Sequence, residues 1–171
     1  MSNEEKWIQA TLEGDVFSAS NQAVCSTTAA LATAFTGLAL VNPATSKYDA
    51  AILQMSWGQV AVGVAGAIGV MGGLGVGDLT AVITPVNRKI GGRTSGMLVD
   101  DAATISTPTL LQVFGSLGSV ATTNYGLVNR SVAELDGSLI VTPGNFIAFY
   151  TTAATTNALI MSFLWQEIRR S

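Results

Sequence analysis

TPGNFIAFYTTAATTNALIMSFLWQEI, residues 142–168, decides how the rest of the chain is read. Leu159, Met161, Phe163 and Trp165 alternate onto one face. Ala158, Ile160, Ser162, Leu164 and Gln166 form a mixed second face. Period two over this length, with aromatic and β-branched residues, predicts a half-buried strand rather than a helix. Residues 145–151 are apolar on both faces, as in a central strand. The small polar run at 151–157 turns the chain between the two strands.

Working outward, the clearest upstream strand is residues 49–59. Ala51, Leu53, Met55 and Trp57 alternate there with Ala50, Ile52, Gln54, Ser56 and Gly58. Its layout repeats that of the closing strand, which suggests that the two are neighbours in one sheet. Further strands are predicted at 15–20, 37–41, 78–86, 97–99, 110–120 and 138–141. Pro43, Pro85 and Pro143-Gly144 mark strand ends or turns, and Asp136-Gly137 is a hairpin signal. Gly115 and Gly118 allow a bend or bulge. Asp100-Asp101 reads as a turn, and adjacent strand residues would in any case point to opposite faces. Residues 21–36 fit helix or strand, and 127–135 a strand or connection. Residues 1–13 fit a short helix or an extended arm around Trp7, Ile8 and Leu12. Short strands, frequent turns and no long amphipathic helix give an all-β antiparallel sandwich with Greek-key connections. The expected division is an N-terminal arm, 1–14, and a β-sandwich domain, 15–171.

Two segments resist this pattern. Glycine recurs every third residue from Gly63 to Gly75, without the prolines of a collagen helix. Residues 50–77 lack charge, so a membrane-spanning helix is an alternative. Each interior glycine would cost such a helix roughly 1 kcal/mol relative to alanine. A strand, a glycine-rich loop and a second strand is the other reading. Residues 87–96, NRKIGGRTSG, form a loop holding Arg88, Lys89 and Arg93. These fit a solvated loop, or contact with an acidic partner or a phosphate.

Charged residues make up only 11% of the 171-residue chain, against about 25% in ordinary soluble domains. A monomer of this mass exposes roughly 7,900 Å², which leaves about one charge per 400 Å². Either Ser, Thr, Asn and Gln solvate the surface, or much of it is covered by other subunits. A net charge of −3 argues against non-specific nucleic-acid binding, which needs clustered Lys and Arg. The lone Cys25 makes no intrachain disulfide and reads as a small buried residue. The acidic first residues do not resemble a secretory signal.

No catalytic constellation is recognisable. With no histidine, Ser-His-Asp and Cys-His systems and the commonest metal ligand are gone. Cys25 alone builds no zinc site. The glycine run has no Lys to complete a phosphate loop, and calcium-type oxygen clusters are missing. Glu134 and Asp136 share a strand face on paper, but two carboxylates beside a glycine turn are common on any surface. The expectation is a non-enzymatic protein with no cofactor, no catalytic residues and no metal.

Residues 36–57, TGLALVNPATSKYDAAILQMSW, resemble a pattern in small structural proteins of tailed bacteriophages: an apolar strand ending in Asn-Pro, a polar turn and a second alternating strand. The closing segment matches too, through Pro143, Gly144, Asn145, Phe146, Trp165, Glu167 and Ile168. The likeness covers about a third of the chain, and the glycine run departs from it. It implies a jelly-roll-like virion protein of the capsid decoration (cement) or head-fibre kind. It further implies a homotrimer that binds a major capsid protein, located on the capsid surface after assembly in the host cytoplasm, with no membrane partner. Trp7 and Ile8 are the expected capsid contacts, with Arg88, Lys89 and Arg93 as loop contacts. Head-fibre or spike binding to a host-surface glycan is the main alternative, for which Tyr48 and Tyr125 are the candidate aromatics. A small membrane protein spanning through residues 50–77 is the third reading.

Overall fold

The computed structural model describes residues 3–60, 65–79, 82–117 and 130–170. The two closing strands are β12 (Asn145–Thr151) and β13 (Thr155–Arg169). Leu159, Met161, Phe163 and Trp165 are all buried, as their alternation requires. β4 (Tyr48–Gln59) lies beside β13, with Trp57 opposite Met161 and Ile52 opposite Trp165. The two similarly patterned strands are therefore neighbours. β12 lies between β3 (Ala34–Asn42) and β5 (Gly66–Leu74), and both of its apolar faces are covered, Ile147 and Phe149 by the inter-sheet core and Phe146 and Ala148 by a second core on the other side of the sheet.

The remaining strands are β1 (Val16–Ser20), β2 (Cys25–Thr27), β6 (Val76–Leu79), β7 (Val82–Ile83), β8 (Val86–Asn87), β9 (Leu98–Ile105), β10 (Thr109–Leu117) and β11 (Arg130–Val141). One antiparallel sheet runs β11-β4-β13-β1-β8, with β2 also on β13. The other runs β10-β5-β12-β3-β9-β6, with β7 also on β9. Take β1, β3, β4, β5, β10, β11, β12 and β13 as the first to eighth strands of a frame. The sheets then read sixth-third-eighth-first and fifth-fourth-seventh-second. That interleaving is the jelly roll, two Greek keys wound into a sandwich. The segment between the fourth and fifth frame strands widens both sheets at the opposite edges, through β8 on β1 and β9 on β3.

The inter-sheet core is built from Phe17, Leu40, Ile52, Met55, Phe149, Phe163 and Trp165 with their neighbours. Phe17 stacks on Trp165 at 6.1 Å and Phe149 tilts against Phe163 at 5.1 Å. The second sheet has another core on its other face, where Val41, Met71 and Phe146 meet Ala103 and Ile105. Its wrapping follows from connectivity. β5 runs through Gly75 directly into β6, and β6 pairs with β9, so the sheet curls back towards its own middle.

The glycine run is mostly strand. Residues 66–74 are β5, and 61–64 lie outside the described residues. A Cβ on Gly69 would overlap the Gln112 carbonyl oxygen and come within 3.0 Å of the Val113 Cα. The missing side chain lets β10 bulge over β5, where the register shifts on both sides of Gln112 and Val113. The strand-loop-strand reading is corrected in this respect, and so is the helical span. Residues 50–59, 66–74 and 76–77 are strand, with a bend at Gly75, and no described helix is long and apolar enough to cross a membrane.

Three turn and strand assignments change. Asp136-Gly137 makes no hairpin. Both residues have positive φ (48° and 78°), but they form a bulge inside β11, where the register jumps from Glu134 opposite Gln54 to Leu139 opposite Ile52. The excursion turns Leu135 into the core. Asp100-Asp101 is strand, in β9, with Asp100 buried and accepting from the Ala102 amide. The single strand expected at 78–86 changes sheets: Leu79, Val82 and Ile83 pair with β9 of the second sheet, and after Thr84 and Pro85 the chain pairs with β1 of the first as β8. Residues 118–126, including the expected turn at 122–126, lie outside the described residues.

Cys25 is buried, and burial, reinforced by the charge of Asp101, pushes its thiol up to about 11. The folded thiol stays protonated where an unfolded one ionises. Its contribution to stability is complete below pH 9 and is lost as pH rises through about 11. At pH 8 the native protein should present on the order of 100-fold less thiolate than the unfolded chain. Alkylation kinetics with and without urea check this. Equal rates would show that Cys25 is exposed.

Candidate interaction surface

The N-terminal segment is a helix, α1 (Asn3–Glu13), closed by a Schellman motif. The Gly14 amide donates to Thr11 O and the Asp15 amide to Ala10 O, both at 3.0 Å. Trp7 and Ala10 pack on Val16, Leu53 and Leu164 of the first sheet. The two expected capsid contacts thus divide. Trp7 is turned back on its own domain, while Ile8 is 61% exposed, one turn from the equally exposed Leu12.

The three loop cations also divide. Arg93 lies between the rings of Phe17 and Tyr48, at 4.7 and 4.6 Å. Its Nη1 donates to Glu167 Oε2 at 2.6 Å and its Nη2 to Asp15 Oδ1 at 2.9 Å. Partial burial works against the charged guanidinium, but hydrogen bonds and charge from Glu167 and Asp15 outweigh it and raise the pKa. Glu167 is fully buried and also accepts from Ser95 Oγ and the Gly96 amide. This cluster fastens residues 88–97 across one end of the sandwich, so Arg93 is engaged within its own chain. Lys89 Nζ donates to Leu12 O, at the C-terminal end of α1. Arg88 is exposed, with no acidic partner among the described residues. Of the candidate aromatics, Tyr48 has Arg93 over its ring, and Tyr125 lies outside the described residues.

Glu134 accepts from Gln54 Nε2 at 2.8 Å, and Asp136 belongs to the bulge. The two are therefore not successive same-face residues of a regular strand. No group of three or more His, Cys, Asp or Glu is placed to hold a metal among the described residues.

The flank formed by β10 and β11 is different in kind. β10 has no charged residue, and every residue from Thr109 to Val113 is exposed, whichever face of the strand it occupies. Leu111 and Val113 are 49% and 50% exposed, and Leu110 is also open. Across the gap β11 exposes Val132 and Ile140. Each is the last described strand of its sheet. The seam between them holds two hollows of about 390 and 420 Å³. One is floored by Trp57 stacked on Phe114 at 5.8 Å, the other lies over Gly72 and Phe146. A sheet edge of this length without lysine or proline is a template for pairing with another chain. Sequence reasoning missed this flank because the alternation of β10 does not say that both faces are bare.

No family model, curated protein or solved structure matches the chain.

Proposed function

We propose that this chain is a non-enzymatic structural subunit of a phage particle, which assembles with copies of itself as a homotrimer and decorates and stabilises the capsid. One observation carries the reading: an uncharged, bare edge strand, β10, beside a second open edge, β11. An edge of this kind has to be covered for a protein to stay dispersed, and copies of the same chain cover it most economically in a closed ring. The jelly-roll frame and the sparse charge agree with this. The outward pair Ile8 and Leu12 on α1 is then the natural capsid contact, with the major capsid protein as partner.

Light scattering after size exclusion tests the assembly. The expected mass is near three times 17.6 kDa, and a monomer at high concentration would sink the reading. Leu111→Lys should shift the protein to monomers, weakening association on the order of 100-fold. Its melting temperature as a monomer should match that of diluted wild type. Adding the protein to particles that lack it tests decoration, and binding should weaken in Ile8→Glu.

A further inference from the structure

We propose that the β10–β11 seam of one protomer receives the edge at residues 82–90 of the next, head to tail. This rests on the self-assembly reading and names the two surfaces that meet.

The two flanks of the sandwich differ in shape. At one, the described strands end in β10 and β11, and the seam between them holds two hollows among the described residues. At the other, the chain itself bridges the sheets. β7 pairs with β9 in the second sheet, and three residues later β8 pairs with β1 in the first. Residues 82–90 therefore stand as a ridge where the other flank has a cleft. The ridge carries exposed Val82 and Val86 and ends in Ile90, which is 88% exposed. The apolar rim of the cleft is Leu111, Val113, Val132 and Ile140.

Charge agrees with shape. The cleft side offers Glu134 and Asp136, both exposed. The ridge offers Arg88, with no acidic partner among the described residues, and Lys89 beside it. Two copies meeting cleft to cleft would oppose acid to acid across an apolar contact. Cleft to ridge pairs acid with base and apolar with apolar. Different surfaces meeting in this way make a heterologous contact, which closes into a ring when the rotation allows.

A charge swap tests the contact. Arg88→Glu alone and Glu134→Lys alone should each raise the dissociation constant on the order of 10- to 100-fold, and the double variant should recover most of that loss. Circular dichroism melts show whether each variant is folded. Cross-linking gives a readout independent of the charges. Mixed Val86→Cys and Ile140→Cys chains should form the mixed disulfide, and Val86→Cys alone should not self-couple, since Cys25 is buried. An assembled wild type whose single reversals keep their mass overturns the head-to-tail contact and leaves self-assembly standing. So does self-coupling of the Val86→Cys chain. A wild type that stays monomeric overturns self-assembly itself.

Discussion

Glu167→Ala should lower conformational stability by about 3 kcal/mol. At this chain length that corresponds to a melting temperature roughly 6–12 °C lower. The carboxylate is fully buried and collects Arg93, the Ser95 hydroxyl and the Gly96 amide. Its removal leaves the guanidinium between Phe17 and Tyr48 with Asp15 and the Thr94 carbonyl, and takes the acceptor from the half-buried Ser95 hydroxyl and Gly96 amide. The low end of the range for breaking buried pairs applies, because 30% of the Arg93 side chain reaches water, which takes over part of the lost interaction. Glu167→Gln keeps an acceptor and loses the charge, so it should fall between wild type and alanine. Calorimetric melts of the three proteins decide the matter. Should alanine and wild type melt within about 2 °C of each other, the cluster is ornamental rather than a fastening. Proteolysis adds a local readout, since residues 88–97 should become the first cleavage site in the alanine variant.

The second large effect is expected at Gly69→Ala, a change of one methyl group. The new Cβ would run into the Gln112 carbonyl and the Val113 Cα, which are backbone atoms that cannot rotate away. β10 must move off β5, at a cost of about 2–3 kcal/mol. Gly58→Ala is the matched control. It also lies within a strand, yet nothing stands within 4 Å of its Cβ position. Its effect should stay within about 0.5 kcal/mol of zero. Urea unfolding of the two variants gives the comparison, and equal midpoints would refute the close approach of β10 to β5. Because β10 borders the seam, Gly69→Ala should also weaken self-association, whereas Gly58→Ala should not.

The buried carboxylate was readable in the sequence in one respect. The alternation that buries Leu159, Met161, Phe163 and Trp165 continues to Glu167, which places a charge on the core face. A charge there requires a buried partner. What the pattern does not contain is the partner. Arg93 lies 74 positions away in a loop that reads as solvated. Of three cations in that loop, only the folded chain selects the one that reaches Glu167.

Period-two patterning by itself determined the class of the protein: strands, their buried faces, the central place of β12 and the kinship of β4 with β13. These are local properties, because the side-chain direction in a strand follows from the backbone alone. Tertiary structure decided the rest. Asp136-Gly137 has the positive dihedrals of a hairpin turn, but both flanking segments pair with β4, so the same local geometry becomes a bulge. The glycine run is a strand because β10 comes close to Gly69, and Trp7 faces inward because Leu53 and Leu164 lie beneath it. The bare flank exists because, among the described residues, β10 and β11 have no further strand beside them. Pairing partners, bulges and open edges depend on residues far apart in the chain, and a local pattern holds no record of them.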